Sequence, residues 1–147
     1  MKIGIVSDHR GYEFKLNLKE KLEDEGFELF DFGSNTKERV DFVDYGLVAG
    51  EELIKNNVDL VIGICGSGIA ASIVLNKVKG VMCSLLFNKD MAIHAKENDG
   101  CNAMAFGSEH ISVDDAFECV KSFINAKFIG NEYQVRIDKL TNYEESK

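Results

Sequence analysis

The sequence predicts an α/β fold in which helices cover both faces of an open, five-stranded parallel sheet. The first observation is that several short segments are apolar without interruption, as strands buried on both faces are. The second is that these segments alternate with stretches of helical pattern, which is typical of parallel β-α units with right-handed crossovers. No proline divides the 147 residues, so we expect one domain over residues 1–147.

Five segments have the pattern of strands and five have the pattern of helices. The predicted strands are residues 3–6, 27–32, 60–64, 80–85 and 102–106. The predicted helices are residues 12–25, 42–55, 69–76, 89–97 and 113–126. In the first helix Phe14, Leu18 and Leu22 recur at four-residue steps, which marks one apolar face. The alternation places every predicted helix between two strands or after the last one.

The polar tail, residues 132–147, is compatible with a sixth helix. Its only aliphatic residues are Val135, Ile137 and Leu140. A helix with so few apolar side chains packs poorly on its own chain. We therefore expect this carboxyl-terminal helix to pack on a partner subunit.

The composition limits the compartment and the partners. The net charge is −8, from 25 acidic and 17 basic residues, and a surface of that sign repels a nucleic-acid backbone. No apolar run approaches the roughly 20 residues that cross a bilayer. The first apolar run stops at Asp8, too soon for a secretory signal. We expect a cytoplasmic protein that binds neither nucleic acid nor membrane.

Four cysteines are present, namely Cys65, Cys83, Cys101 and Cys119. They are 18 residues apart, far from the two-to-four-residue spacing of a zinc knuckle. Disulfides are rare in the cytoplasm. The pattern therefore calls for no metal and no other cofactor.

The chemistry should lie at the ends of the first and third strands. Ligands of open parallel sheets bind beyond the carboxyl ends of the strands. Asp8, His9 and Arg10 follow the first strand, and the segment 65–70, Cys-Gly-Ser-Gly-Ile-Ala, follows the third. Its glycines permit a tight turn, and the next helix begins with free N–H groups that favour phosphate or a developing oxyanion.

Cys65 and Asp8 each allow a structural and a chemical interpretation. A helix N-terminus favours the thiolate form of a cysteine, which equips Cys65 for proton abstraction or nucleophilic attack. The alternative is that Cys65 is a small residue of the core. Asp8 could cap the following helix and still face a ligand. His94 and His110 have the pattern of surface residues.

At Asp8-His9 and at Cys65-Gly66-Ser67-Gly68 the chain resembles the ribose-5-phosphate isomerase B and galactose-6-phosphate isomerase family. The likeness extends to residues 1–15, 31–33, 40–45, 76–80 and 105–107. It implies a Rossmann-like three-layer α/β/α domain, a homodimer or tetramer, and active sites built across the dimer interface. It also implies a metal-free aldose–ketose isomerisation through a cis-enediol, with a pentose phosphate such as ribose 5-phosphate as the expected substrate.

The resemblance assigns roles to residues as well. Cys65 would remove the proton beside the carbonyl, Ser67 would help to position the enediolate, and Asp8 would manage the hydroxyl protons. The N–H groups of the loop would hold the enediolate oxygen, and these belong to Gly66, Gly68, Ile69 and Ala70. His9 would meet the phosphate together with Arg136 from the tail helix of the partner.

The chain also departs from the family pattern. The ring-opening histidine of the family falls on Asn98, which precedes Asp99, and an asparagine cannot act as a general acid. His94, one helical turn earlier, could replace it. The first phosphate-binding arginine falls on Glu132, whereas Arg10 stands where a small residue is usual and could restore a positive charge. We keep Asn98, Asp99 and Arg10 as predicted substrate contacts.

These departures leave three alternatives open. The substrate could be another sugar, such as a tetrose or hexose phosphate or a uronate. The chain could be one subunit of a hetero-oligomeric galactose-6-phosphate isomerase. It could also bind sugar phosphates without turnover, although the retained Cys65 and Asp8 favour an enzyme.

Overall fold

Five strands form one parallel sheet in the order β2-β1-β3-β5-β4, and six helices accompany it. The computed structural model describes residues 1–147. The strands are β1 (Lys2–Ser7), β2 (Glu28–Asp31), β3 (Leu60–Cys65), β4 (Cys83–Leu85) and β5 (Ala103–Gly107). The helices are α1 (Tyr12–Asp24), α2 (Phe42–Ile54), α3 (Ile69–Asn76), α4 (Lys89–Glu97), α5 (Val113–Asn125) and α6 (Glu132–Glu145). The α/β fold expected from the sequence is confirmed.

The predicted segments are all present, and their ends agree within one residue except at β4 and at the end of the tail. Strand β4 begins at Cys83, because a turn ends at Gly80 and the next two residues are irregular. Gly80 has φ +90°, and the Met82 N–H donates to Oδ1 of Asn102 at 2.8 Å. The prediction of a strand from residue 80 was therefore wrong at its amino end, since an apolar run does not distinguish a turn from a strand.

The sheet separates two hydrophobic cores. Helices α1, α4 and α5 pack on one face, where Leu18 and Val120 meet Ile64 and its neighbours. Helices α2 and α3 pack on the other face, where Phe42 and Cys65 belong to one cluster. Because successive residues of a strand point to opposite faces, Ile64 and Cys65 lie in different cores. Cys65 therefore shares a face with α2 and α3.

Strands β1 and β3 are neighbours whose connections diverge. They pair in register from Ile3 with Leu60 to Ser7 with Ile64. From β1 the chain passes through α1 to β2, at one edge of the sheet, whereas from β3 it passes through α3 to β4, at the other edge. A crevice forms where such connections separate, at the carboxyl ends of the two strands. The fold thus places Asp8 and Cys65 on two sides of one crevice.

Helix α6 lies outside both layers. It has no buried residue, and Val135, Leu140 and Tyr143 are exposed. Ile137 contacts the body of the protein at Gly100, where an added Cβ atom would come within 2.7 Å of its Cδ1. Of the six helices, none has both the length and the apolar character that a bilayer span requires.

Candidate active site

A cavity of about 760 Å³ opens beside the ends of β1 and β3. Its volume falls within the range of small-molecule sites. The lining residues are Asp8, His9, Arg10, Arg39, Val40, Asp41, Phe42 and Ala70. The structure therefore brings together four of the residues predicted for the site, which are Asp8, His9, Arg10 and Ala70. Arg39 adds a further positive charge to the cavity, and two aspartates line it as well.

Asp8 holds the turn that leads from β1 into α1. Its Oδ1 accepts hydrogen bonds from the N–H groups of Arg10 (3.0 Å) and Gly11 (3.1 Å). Gly11 allows this turn to approach β3, since an added Cβ atom would lie 2.6 Å from Cγ2 of Ile64. The Oδ2 atom of Asp8 has no such partner, which leaves it free to accept a hydroxyl proton. Asp8 therefore combines a structural contact with a position at the cavity.

The loop after β3 folds its donors around Cys65. The Gly68 N–H donates to Sγ of Cys65 at 3.1 Å, and the Ile69 N–H donates to Oγ of Ser67 at 3.1 Å. Gly68 has φ +80°, a backbone conformation that a residue with a Cβ atom rarely adopts. The hydroxyl of Ser67 accepts a bond in this geometry, so its hydrogen can be donated elsewhere.

Four N–H groups of the same segment donate no hydrogen bond within the chain. They belong to Gly66, Ser67, Ala70 and Ala71. The last two are in the first turn of α3, where N–H groups have no partner inside the helix. Free donors and the positive end of a helix dipole form a site that favours negative charge. The N–H groups of Gly68 and Ile69, by contrast, donate hydrogen bonds within the loop.

Cys65 is nearly buried at the end of β3. Its side chain belongs to the same cluster as Phe42, which lines the cavity, and the residue is 3% exposed. It does not itself line the cavity.

His9 is oriented by the chain that precedes α2. Both the N and the O atoms of Val40 lie 3.2 Å from its Nδ1. Either neutral tautomer of the ring consequently finds a partner at Nδ1, and Nε2 is left for a ligand. The Asp41 side chain accepts a bond from the Val43 N–H at 3.0 Å and caps α2. This cap fixes the segment that carries Arg39 and Val40.

A buried lysine connects the end of β2 to the segment before Asp8. Lys15 is fully buried, and its Nζ donates to Oδ1 of Asp31 (2.7 Å) and to the carbonyl of Ser34 (2.6 Å). The main chain of Ser7 exchanges hydrogen bonds with Gly33 (2.8 Å) and Ser34 (2.7 Å). Because a buried charge requires partners, this pair holds the end of β2 against the residue before Asp8.

Two charged residues that the sequence did not predict are Arg39, which lines the cavity, and Glu109, which lies beside Arg10. The signal that could have located Arg39 is its position two residues before Asp41, which caps α2. Glu109 follows β5, and its Oε1 lies 3.9 Å from Nη1 of Arg10. The carboxyl end of β5 thus contributes a charged side chain next to the ends of β1 and β3.

Asn98, Asp99 and Arg136 form a second group, away from the cavity. Nη1 of Arg136 donates to Oδ1 of Asp99 at 3.2 Å, and Nε2 of His94 lies 3.7 Å from Oδ2 of Asp99. Helix α4 returns from the end of β4 to the start of β5, so its last turn lies near the amino ends of the strands. Within one chain, the two groups of predicted residues therefore lie at opposite ends of the strands, the first at the carboxyl ends and the second near the amino ends.

The other cysteines are held in the thiol form by burial. Burial raises the pKa of Cys101 to about 12, and nearby Asp99 adds to the effect. Burial also raises the pKa of Cys119 to about 11 and raises that of Cys83. These three side chains are therefore poor nucleophiles and poor bases near neutral pH. No three His, Cys, Asp or Glu side chains are grouped as a metal site.

Comparison with known proteins matches the chain over nearly its full length. The family model described as Ribose/Galactose Isomerase matches residues 3–140. The structure of ribose-5-phosphate isomerase B from Clostridium thermocellum is 36% identical, with a TM-score of 0.96 and 99% of each chain covered. The same enzyme from Mycoplasma genitalium, with bound ribulose-5-phosphate, is 32% identical, with a TM-score of 0.94 and with 99% of this chain and 97% of that one covered.

A relative from the galactose branch matches as well. Galactose-6-phosphate isomerase subunit LacA from Lactococcus lactis is 31% identical over 140 residues, which is 95% of this chain and 97% of the relative. The match to the family model, together with relatives above 30% identity over nearly the whole chain, shows that the protein belongs to the ribose/galactose isomerase family.

Proposed function

We propose that the protein is an aldose–ketose isomerase of a sugar phosphate, with Cys65 as the base. The observation that carries the proposal is the hydrogen bond from the Gly68 N–H to Sγ of Cys65, with four free N–H groups in the same loop. A bond donated to sulfur stabilises a thiolate. Free main-chain donors stabilise the oxyanion that forms when a proton leaves the carbon beside a carbonyl.

The proposed reaction consists of proton transfers only. Cys65 takes the proton from the carbon beside the carbonyl, and the electron pair moves to the carbonyl oxygen to give a cis-enediolate. The N–H groups of Gly66 and Ala70 hold this oxygen, and the Ser67 hydroxyl helps to orient it. Oδ2 of Asp8 carries the hydroxyl proton between the two oxygens. Cys65 then returns its proton to the other carbon, so that atoms and electrons balance.

The proposal requires the carbonyl end of the substrate to enter deeply. Cys65 is 3% exposed, so the two reacting carbons must pass between the glycine loop and the Asp8 turn. The anionic end would then remain in the cavity, near His9, Arg10 and Arg39. Exclusion of water at the sulfur strengthens the electrostatic contacts that the enediolate makes with the loop.

We propose that the second group of residues completes the site of a partner subunit. Asp99 and Arg136 lie near the opposite ends of the strands from Cys65, so a chain cannot use its own copies. Two copies related by a two-fold axis would exchange them in both directions. The outer faces of α2 and α3 support self-association, since they expose the apolar side chains Val43, Leu47, Val48, Ile69 and Ile73.

Ring opening needs a proton donor other than Asn98. His94 is the candidate that we favour, because it lies one turn earlier on α4 and its Nε2 is 3.7 Å from Asp99. An imidazole, unlike the amide of an asparagine, can act as a general acid. In the proposed dimer this histidine would reach the neighbouring active site together with Arg136.

The substrate that we propose is a pentose phosphate such as ribose 5-phosphate. The Mycoplasma genitalium relative was solved with ribulose-5-phosphate, the ketose of this pair. A hexose phosphate handled with a second type of chain is the alternative, which the similarity to the LacA subunit favours. Either substrate carries the negative charge for which the cavity has two arginines and a histidine.

The test is to incubate the purified chain with tetrose, pentose and hexose phosphates and with a uronate in deuterium oxide. With the pentose phosphate we expect ketose formation, with deuterium on the carbon that was the aldehyde of the substrate. Turnover of a hexose phosphate that appears only when a second homologous chain is added would favour the alternative. Thermal stabilisation by a sugar phosphate with neither ketose nor deuterium incorporation would contradict both, and would indicate a binding protein.

A further inference from the structure

Two oppositely charged side chains lie over Gly66, beside the loop that carries Cys65. A Cβ atom on Gly66 would lie 2.9 Å from Cδ of Arg10 and 3.4 Å from Oε1 of Glu109. The Nη1 atom of Arg10 and Oε1 of Glu109 are 3.9 Å apart, and the two side chains are 62% and 58% exposed. A pair at that distance and exposure contributes little to folding. Its position beside the Cys65 loop and Arg10 of the cavity is therefore open to a functional explanation.

The main chain around Glu109 is firmly held, although its side chain is not. The Ser108 N–H donates to the carbonyl of Cys65 (2.9 Å), and the Glu109 N–H donates to that of Gly66 (3.0 Å). The Ser108 hydroxyl donates to the carbonyl of Arg10 at 3.2 Å. These bonds join the ends of β1, β3 and β5, so the carboxylate and the guanidinium are held within reach of each other by the fold.

The two arginines of the cavity differ in their surroundings. Arg39 has no carboxylate within ion-pair distance. Arg10 faces Glu109, so an anion that binds Arg10 must compete with this carboxylate and must also overcome its repulsion. A neutral sugar meets neither cost. Glu109 therefore weakens the binding of anionic ligands selectively.

We propose that Glu109 is a specificity-determining residue, whose carboxylate competes with the anionic group of the substrate for Arg10. It reduces the preference of the site for phosphorylated over unphosphorylated sugars. When a phosphoryl group binds, the guanidinium leaves Glu109 and pairs with the phosphate oxygens, with which it forms charge-assisted hydrogen bonds. This inference rests on the proposed function, because it assigns the cavity to a sugar phosphate.

The test measures the dissociation constant of inorganic phosphate by isothermal titration calorimetry. Four proteins are compared, namely the parent chain, Glu109→Gln, Arg10→Gln and the double variant. We expect Glu109→Gln to bind phosphate about threefold more tightly, the size that an exposed ion pair allows. Arg10→Gln should bind it more weakly. In the Arg10→Gln background the Glu109 substitution should have a clearly smaller effect, because no guanidinium is left to release.

Glu20→Gln is the matched control, since Glu20 is an exposed residue of α1 and its substitution changes the net charge equally. It should leave the affinity for phosphate unchanged. Equal affinities of the parent and Glu109→Gln would overturn the proposal, and so would absence of phosphate binding to the parent. The same gain in both backgrounds would also overturn it, because Glu109 would then act through the general field. Phosphate binding is measured without turnover, so a failure of the isomerase proposal would be seen separately.

Discussion

The two groups of predicted site residues are built in different ways. Around Cys65 and Asp8 main-chain N–H groups of the turns at the strand ends donate hydrogen bonds to the two side chains, and the sulfur is buried. Around Asp99 and Arg136 the contacts join exposed side chains, and α6 contributes no buried residue. Hydrogen bonds within the chain therefore hold the first group in place. In the second group Arg136 extends from a helix that is not buried.

This difference separates chemistry from recognition. A proton transfer requires reacting atoms held within a fraction of an ångström, which turns tied to the sheet provide. Binding of a distant anion tolerates longer and more flexible side chains such as Arg136. We therefore expect substitutions in the first group to affect turnover or folding, and substitutions in the second group to affect the affinity for substrate.

The largest effect is expected for Cys65→Ala. Loss of the base should reduce turnover by about 10³-fold, the range of general-base catalysis. Ketose formation and deuterium exchange at the substrate carbon measure it. Cys83→Ala, in the outer strand β4, is the control and should retain activity. Exchange that persists in Cys65→Ala would contradict the role of the thiolate.

The two groups should also differ in their response to an added methyl group. Gly68→Ala places a Cβ atom 2.5 Å from the Leu85 side chain and 2.9 Å from the main chain of Gly107, at φ +80°. We expect it to lower the free energy of unfolding by about 3 kcal/mol.

Gly100→Ala, at φ +58°, meets chiefly the movable end of Ile137 and should cost about 1 kcal/mol. Urea denaturation of the two variants measures the difference. Equal losses would show that α6 is packed as firmly as the glycine loop.

A smaller effect is expected for Arg136→Ala. Arg136 and Asp99 are 59% and 36% exposed, so the variant should unfold within about 0.5 kcal/mol of the parent. If Arg136 meets the phosphate of a partner's substrate, KM should rise about tenfold, the value of one charge-assisted hydrogen bond. Lys139→Ala, an exposed cation of the same helix, is the control. An unchanged KM in Arg136→Ala would place the anion elsewhere, near Arg10 and Arg39.

Local sequence patterns were enough to predict the strands and helices and to locate part of the candidate site. The apolar runs located all five strands because strands covered by helices on both faces have few polar residues. Asp8 and Cys65 were located because they follow such runs and precede helices. The late start of β4 was missed because the Met82 N–H donates to Asn102, which is 20 residues away.

Sequence alone therefore specified the order of strands and helices, the strand ends at which we expect ligands to bind, and the family. Tertiary structure decided which side chains lie together at those strand ends. It brought Arg39 to the cavity and Glu109 beside Arg10, and it put Asp99 and Arg136 near the opposite ends of the strands. It also decided that the loop uses the Gly68 and Ile69 donors internally and leaves four others free. The physical reason is that propensity and hydrophobic period act over a few residues, whereas such contacts depend on how distant segments pack.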